Sequence, residues 1–141
     1  MPTSARLASL ARAALTYWAV VFAFAFGFGI VRTLWLVPML GSEVLAVLAE
    51  IPFVLAASWL VARRILERRV FTVGECAAVG ALAFVMLMGA ELALATLAFG
   101  QTPHIWLTAL FHIPGTLGLA GQLGFAAMPM AVRVTTGGDA A

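Results

Sequence analysis

The chain has 141 residues, 64% of them apolar and only 10% charged, with a formal charge of +2 and a mean hydropathy of +1.09. Soluble domains carry about a quarter charged residues, so this composition excludes an ordinary soluble fold. The small positive excess is no argument for nucleic acid and fits a chain whose solvent is the lipid bilayer.

A hydrocarbon core about 30 Å thick takes about 20 apolar residues per helical span. Four stretches qualify, residues 13 to 37, 42 to 62, 74 to 99 and 114 to 132. Backbone groups in lipid must satisfy one another, and no ten-residue alternating segments of the barrel kind occur. The expected fold is therefore all-α, a four-helix transmembrane bundle forming a single integral membrane domain over residues 1 to 141.

Residues 1 to 12 read as a short amphipathic lead-in capped by Thr3 or Ser4. The first apolar run is too long for a secretory signal and offers no small-residue cleavage site, so it is expected to stay as an anchor. Tyr17 and Trp18 fall near its inner end and Trp35 near its outer end, with Trp59 and Trp106 at the ends of spans two and four. The four tryptophans thus take the interfacial positions that amphipathic rings prefer. Within "FAFAFGFG", Gly27 and Gly29 permit close approach of a neighbouring helix.

Pro38 and Gly41 punctuate the first turn. Span two ends in "ARRILERR", placing Arg63, Arg64, Arg68 and Arg69 in the loop to span three. Thr72, three residues before Glu75, has the spacing of a capping box opening span three. The single Cys76 has no disulfide partner in the chain and reads as a small packing residue. Thr102 and Pro103 open a short interfacial helix, "HIWLTALFHI", which Pro114 and Gly115 separate from span four; one long kinked helix over residues 103 to 132 is the alternative. Span four carries Gly115, Gly118, Gly121 and Gly124, a face for close helix packing in its own bundle, with a homo-oligomer or another membrane protein as the alternative. The tail, residues 134 to 141 with Asp139, is expected to be disordered.

All eight basic residues are arginine. Arg6 and Arg12 precede span one, four lie between spans two and three, and Arg133 follows span four, while the turns near 38 to 42 and 100 to 104 carry none. The positive-inside rule then puts both termini in the cytoplasm (N-in/C-in).

The exception is Arg32, inside span one. An ionisable group at mid-membrane costs about 2.5–3.5 kcal/mol on insertion scales and faces a partner or a cavity. Glu43 and Glu50 are seven residues apart and share a face of span two, with Arg32 within reach across the hairpin. Glu50 lies nine residues below Gly41, Glu91 nine below Gly100 and Gln122 eight below Pro114. Four helices thus each bring one polar side chain to a common depth. The structural reading is a network in which Arg32 bridges Glu50 and Glu91 while Gln122 completes the hydrogen bonds. The functional reading notes that two carboxylates and one guanidinium leave a negative charge over, at Glu91, able to carry a proton or hold a cation.

No further chemistry is expected. His104 and His112 are eight residues apart at the outer surface, so neither metal nor haem is predicted. No phosphate loop, nucleophile elbow or HExxH occurs, and neither a cofactor nor an enzymatic activity is expected. The hairpin with Arg32, Pro38, Gly41, Glu50 and Pro52, followed by Glu91 and by "GLAGQLGFAAMP" from Gly118 to Pro129, resembles uncharacterised small four-span bacterial inner-membrane proteins over residues 27 to 130. That resemblance implies a four-span fold in a bacterial inner membrane and transfers no activity. The chain differs from small multidrug transporters, whose glutamate lies in the first span, where this chain has an arginine. Two functions are carried forward: a structural or accessory membrane protein, and a small proton- or cation-linked transporter or permeation subunit using Glu91 and Glu50.

Overall fold

The structure, a computed structural model, describes residues 3–137. Four helices in it are long and apolar enough to cross a membrane: α1 Thr3–Leu40, α2 Glu43–Glu67, α3 Val73–Ala98 and α5 Gly115–Gly137. A short helix α4, Pro103–Ala109, precedes the last of them. Because α4 and α5 are separate, the alternative of one kinked helix is set aside. Residues 110 to 114 turn between them, where Pro114 has no N–H to continue a helix.

Local chemistry accounts for each boundary. Gly41 ends α1 at φ 64°, a left-handed conformation that glycine adopts without strain, and Ser42 caps α2 by accepting from the Leu45 N–H at 3.3 Å. The capping box is present: Thr72 Oγ1 accepts from the Glu75 N–H at 3.2 Å, and the Glu75 carboxylate accepts from the Thr72 N–H at 2.7 Å. Gly100, also at φ 64°, closes α3, and Thr102 caps α4 through the Ile105 N–H at 3.3 Å. Two of the spans widen into π turns. Arg32–Leu36 forms one, where the Val37 N–H bonds to the Arg32 carbonyl, immediately before Pro38 removes a donor. Leu94–Ala98 forms the other, with the Phe99 N–H on the Leu94 carbonyl at 3.2 Å.

The helices outrun the expected spans toward the arginine-bearing end. There is no separate lead-in before residue 13, since α1 is helical from Thr3. Arg63 and Arg64 sit on α2 rather than in a loop, the first paired with Glu67 one turn on at 3.2 Å; arginines in a last turn also offset the negative end of the helix dipole. The tail expectation fails in part, because α5 continues through Gly137, with Thr135 and Thr136 hydroxyls donating to the Ala131 and Val132 carbonyls. Asp139 and residues 138 to 141 lie outside the described residues.

α1 packs against α2 and α3, and α5 packs against the same two helices, so α1 and α5 occupy opposite corners of a four-cornered bundle. Short connections make neighbours antiparallel. The start of α1 and the end of α5 therefore share one end with the Arg63-to-Arg69 segment. The buried core lies toward that end. Tyr17, Val21, Ala83, Leu87, Phe125 and Val132 belong to one cluster, and Ala13, Ala14, Phe71, Cys76 and Val79 form a second below it. Outward faces stay apolar: Phe26 is 50% exposed, Leu60 61% and Val85 67%, as helices bathed in acyl chains require.

One close approach sets the α3–α5 spacing. A Cβ placed on Gly80 would lie 1.8 Å from the Ala126 carbonyl oxygen, so only a glycine lets the two backbones meet there. Across the bundle, Tyr17 is fully buried, stacks on the Phe125 ring with centroids 4.7 Å apart, and donates its hydroxyl to the Phe125 carbonyl at 2.7 Å. Tyr17, placed by the sequence near the inner end of the first span, thus faces into the bundle rather than outward. Pro129, four residues after Phe125, has no N–H for that carbonyl, and the phenol replaces it.

Candidate functional site

Above the core, toward the end opposite the Arg63-to-Arg69 segment, the helices part around a cavity of about 330 Å³. Arg32, Glu43, Glu50, Glu91 and Gln122 all line it, together with Phe22 and Leu87 at its floor and Pro114 from the α4–α5 turn. Arg32, Glu50, Glu91 and Gln122 arrive from four different helices at one depth because each lies about two turns from the nearer helix end, while Glu43 stands in the first turn of α2. That is the depth relation read from the spacing, now joined by the rotation that spacing leaves open.

The polar groups form two pairs rather than one network. Arg32 Nε on α1 stands 2.7 Å from Glu50 Oε2 on α2, with the side chains 26% and 15% exposed. The contact is ionic rather than an aligned hydrogen bond, because the Nε–H finds no acceptor along its own direction. Gln122 on α5 donates its Nε2 to Glu91 Oε1 on α3 at 2.6 Å. The expected bridge from Arg32 to Glu91 is absent among the described residues, as is one from Arg32 to Glu43. Each pair ties two neighbouring helices, α1 to α2 and α3 to α5. In an apolar surround these ties form a polar layer stabilising the bundle and holding helix register.

Three carboxylates and one guanidinium therefore face one cavity, and among the described residues no ion pair includes Glu43 or Glu91. Glu43 is exposed in the first turn of α2, at the mouth. Buried Gln122 Oε1 has no hydrogen-bond partner. A second, more open groove between α1 and α3 reaches the same side chains, since Arg32, Glu50 and Glu91 line it beside Phe26, Gly29 and Phe99.

The glycines of α5 divide by role. A Cβ on Gly121 would meet Ile51 Cγ1 at 3.3 Å and one on Gly124 would meet Leu55 Cδ2 at 2.9 Å, both on α2, while Gly118 has nothing within 4 Å and lines the cavity with Gly115 and Gly121. Gly115 itself lies against the Ala109 carbonyl, 2.0 Å from where a Cβ would stand. Gly121 and Gly124 are thus used inside the chain, against α2, and Gly115, Gly118 and Gly121 by the cavity.

Three features go beyond the sequence reading. The Tyr17–Phe125 contact has only the helix-interior Pro129 as a signal. Gly80 carries a close α3–α5 approach, whose available signal is the run of small residues at spacing three, Gly74, Ala77, Gly80 and Ala83. Glu75, read as a cap alone, also receives the Arg6 guanidinium on both carboxylate oxygens, joining the first turns of α1 and α3. His104 and His112 are exposed, and His112 Nδ1 lies 2.8 Å from the Thr108 carbonyl of the preceding turn.

Compared with known protein families, characterised proteins and solved structures, the chain shows no match.

Proposed function

We propose that this chain is a structural or accessory protein of a bacterial inner membrane, without enzymatic activity, crossing the bilayer four times with both termini cytoplasmic. The observation that carries the reading is the pairing of Arg32 with Glu50 and of Gln122 with Glu91, one tie on each side of the bundle. Polar groups so committed to one another hold a fold together. The arginine distribution supports the orientation through the positive-inside rule.

A second reading is favoured by one specific observation, the cavity of about 330 Å³ with Glu43 and Glu91 on its wall and no cation paired to either among the described residues. A proton or a small cation seated there would make the chain a transporter or permeation subunit.

One experiment divides the two. Glu91→Gln is reconstituted into liposomes containing a pH-sensitive dye and compared with the unaltered chain. The accessory reading expects no cation-dependent proton movement from either protein and a modest loss of thermal stability in the variant. Proton movement in the unaltered chain that disappears in the variant, with the fold intact, establishes the transport reading instead.

A further inference from the structure

At the arginine-bearing end a groove of about 580 Å³ runs between α1 and α2. Arg12 of α1 with Arg64, Arg68 and Arg69 at and beyond the end of α2 line its outer part, and all four side chains belong to exposed residues. Among the described residues no ion pair includes any of them. Of the four, only Arg69 has a side-chain hydrogen bond among the described residues, donating to the Ser9 hydroxyl. Glu67, the nearest carboxylate in sequence, is engaged by Arg63, which does not line the groove.

Deeper in, the walls change character. Val20 and Leu60 line the inner part, eight residues from Arg12 and four from Arg64 along their helices, about 12 Å and 6 Å at the helical rise. Positive charge thus sits at the membrane's edge and apolar surface runs from it toward the membrane's middle. A free phosphate needs only the first; an anionic lipid needs both, a headgroup phosphate at the guanidinium groups and an acyl chain along the apolar wall. Guanidinium groups suit phosphate oxygens through paired N–H donors. Four of them around one groove exceed what a single phosphate diester neutralises.

We propose that this groove is a binding site for an anionic phospholipid of the adjoining leaflet, and that it takes a lipid with two phosphates in preference to a lipid with one. The site is independent of the cavity at the opposite end. It places a specific lipid between α1 and α2, the two helices whose only ion pair among the described residues is Arg32–Glu50 near the other end.

The test is native mass spectrometry of the full chain in detergent, titrated with cardiolipin, phosphatidylglycerol or phosphatidylcholine. Cardiolipin is expected to bind more tightly than phosphatidylglycerol, and phosphatidylcholine not to be retained. Each of Arg12→Gln, Arg64→Gln and Arg68→Gln weakens cardiolipin about fivefold, and the three together weaken it roughly a hundredfold. Arg63→Gln, outside the groove, leaves binding unchanged. Leu60→Glu, which spoils the apolar wall while keeping all four arginines, weakens the lipid as well. Circular dichroism confirms the helical fold of each variant, and the single variants suffice if the triple one does not fold. The proposal is overturned if phosphatidylcholine is retained as well as cardiolipin, if the arginine variants bind as the unaltered chain does, if Leu60→Glu has no effect, or if pyrophosphate displaces the lipid.

Discussion

The Tyr17 hydroxyl donates to the Phe125 carbonyl at 2.7 Å, the carbonyl that Pro129 leaves without its helical partner. A backbone acceptor without a partner in a dry bundle is costly, and a phenol from the opposite corner supplies the missing donor. Tyr17→Phe keeps the stacked ring and removes only this bond, so it should destabilise the fold by about 1–3 kcal/mol. In a Pro129→Ala background the helix can satisfy Phe125 itself, and the same substitution should then cost less. Thermal unfolding of the four proteins in detergent gives the cycle; equal costs in both backgrounds would refute the link between Tyr17 and Pro129.

The Arg32–Glu50 pair is partly exposed, so breaking it should cost less than the about 3–5 kcal/mol typical of a fully buried pair. Arg32→Gln and Glu50→Gln are each expected to destabilise by about 1–3 kcal/mol. Replacing both residues by leucine should cost less than the sum of the two single changes, since neither charge is then left alone. Denaturation in detergent measures all three, and strict additivity would argue against a direct interaction.

On the other side of the bundle, Gln122→Leu removes the hydrogen bond to Glu91 and should cost about 0.6–2 kcal/mol, the span measured for interhelical hydrogen bonds in membrane proteins. Glu91→Gln in that background should have little further effect on stability. A large further loss would show that Glu91 has a second partner.

Glycine position decides whether a methyl group is tolerated. Gly80→Ala drives a Cβ into the Ala126 carbonyl, 1.8 Å away, and the helices must separate; the expected loss is about 1–3 kcal/mol. Gly118→Ala meets nothing within 4 Å and should change stability by no more than about 0.5 kcal/mol. Unfolding midpoints in one detergent compare them, and the reverse order would contradict the α3–α5 packing.

Buried Cys76 should resist a maleimide in the folded chain and react once the chain is unfolded in dodecyl sulfate. Rapid labelling of the folded protein would mean that the cluster around Ala13, Phe71 and Val79 opens readily.

Much of this architecture is written in composition and spacing. Apolar runs too long and too plain for a soluble domain determine four helices, because lipid offers a backbone no other partners. The breaks at Gly41, Thr72 and Thr102 follow from turn and cap chemistry that acts within a few residues. Depth is legible too: Arg32, Glu50, Glu91 and Gln122 lie at matching distances from their helix ends because rise per residue is constant. Rotation is not, since a residue's facing depends on how whole helices pack. Only the tertiary structure therefore decided that Arg32 takes Glu50 and leaves Glu91 to Gln122. For the same reason it alone stacked Tyr17 on Phe125, brought Gly80 against the Ala126 backbone, and opened a cavity where the polar side chains meet. Those outcomes depend on contacts between residues far apart in the chain, which local propensity does not encode.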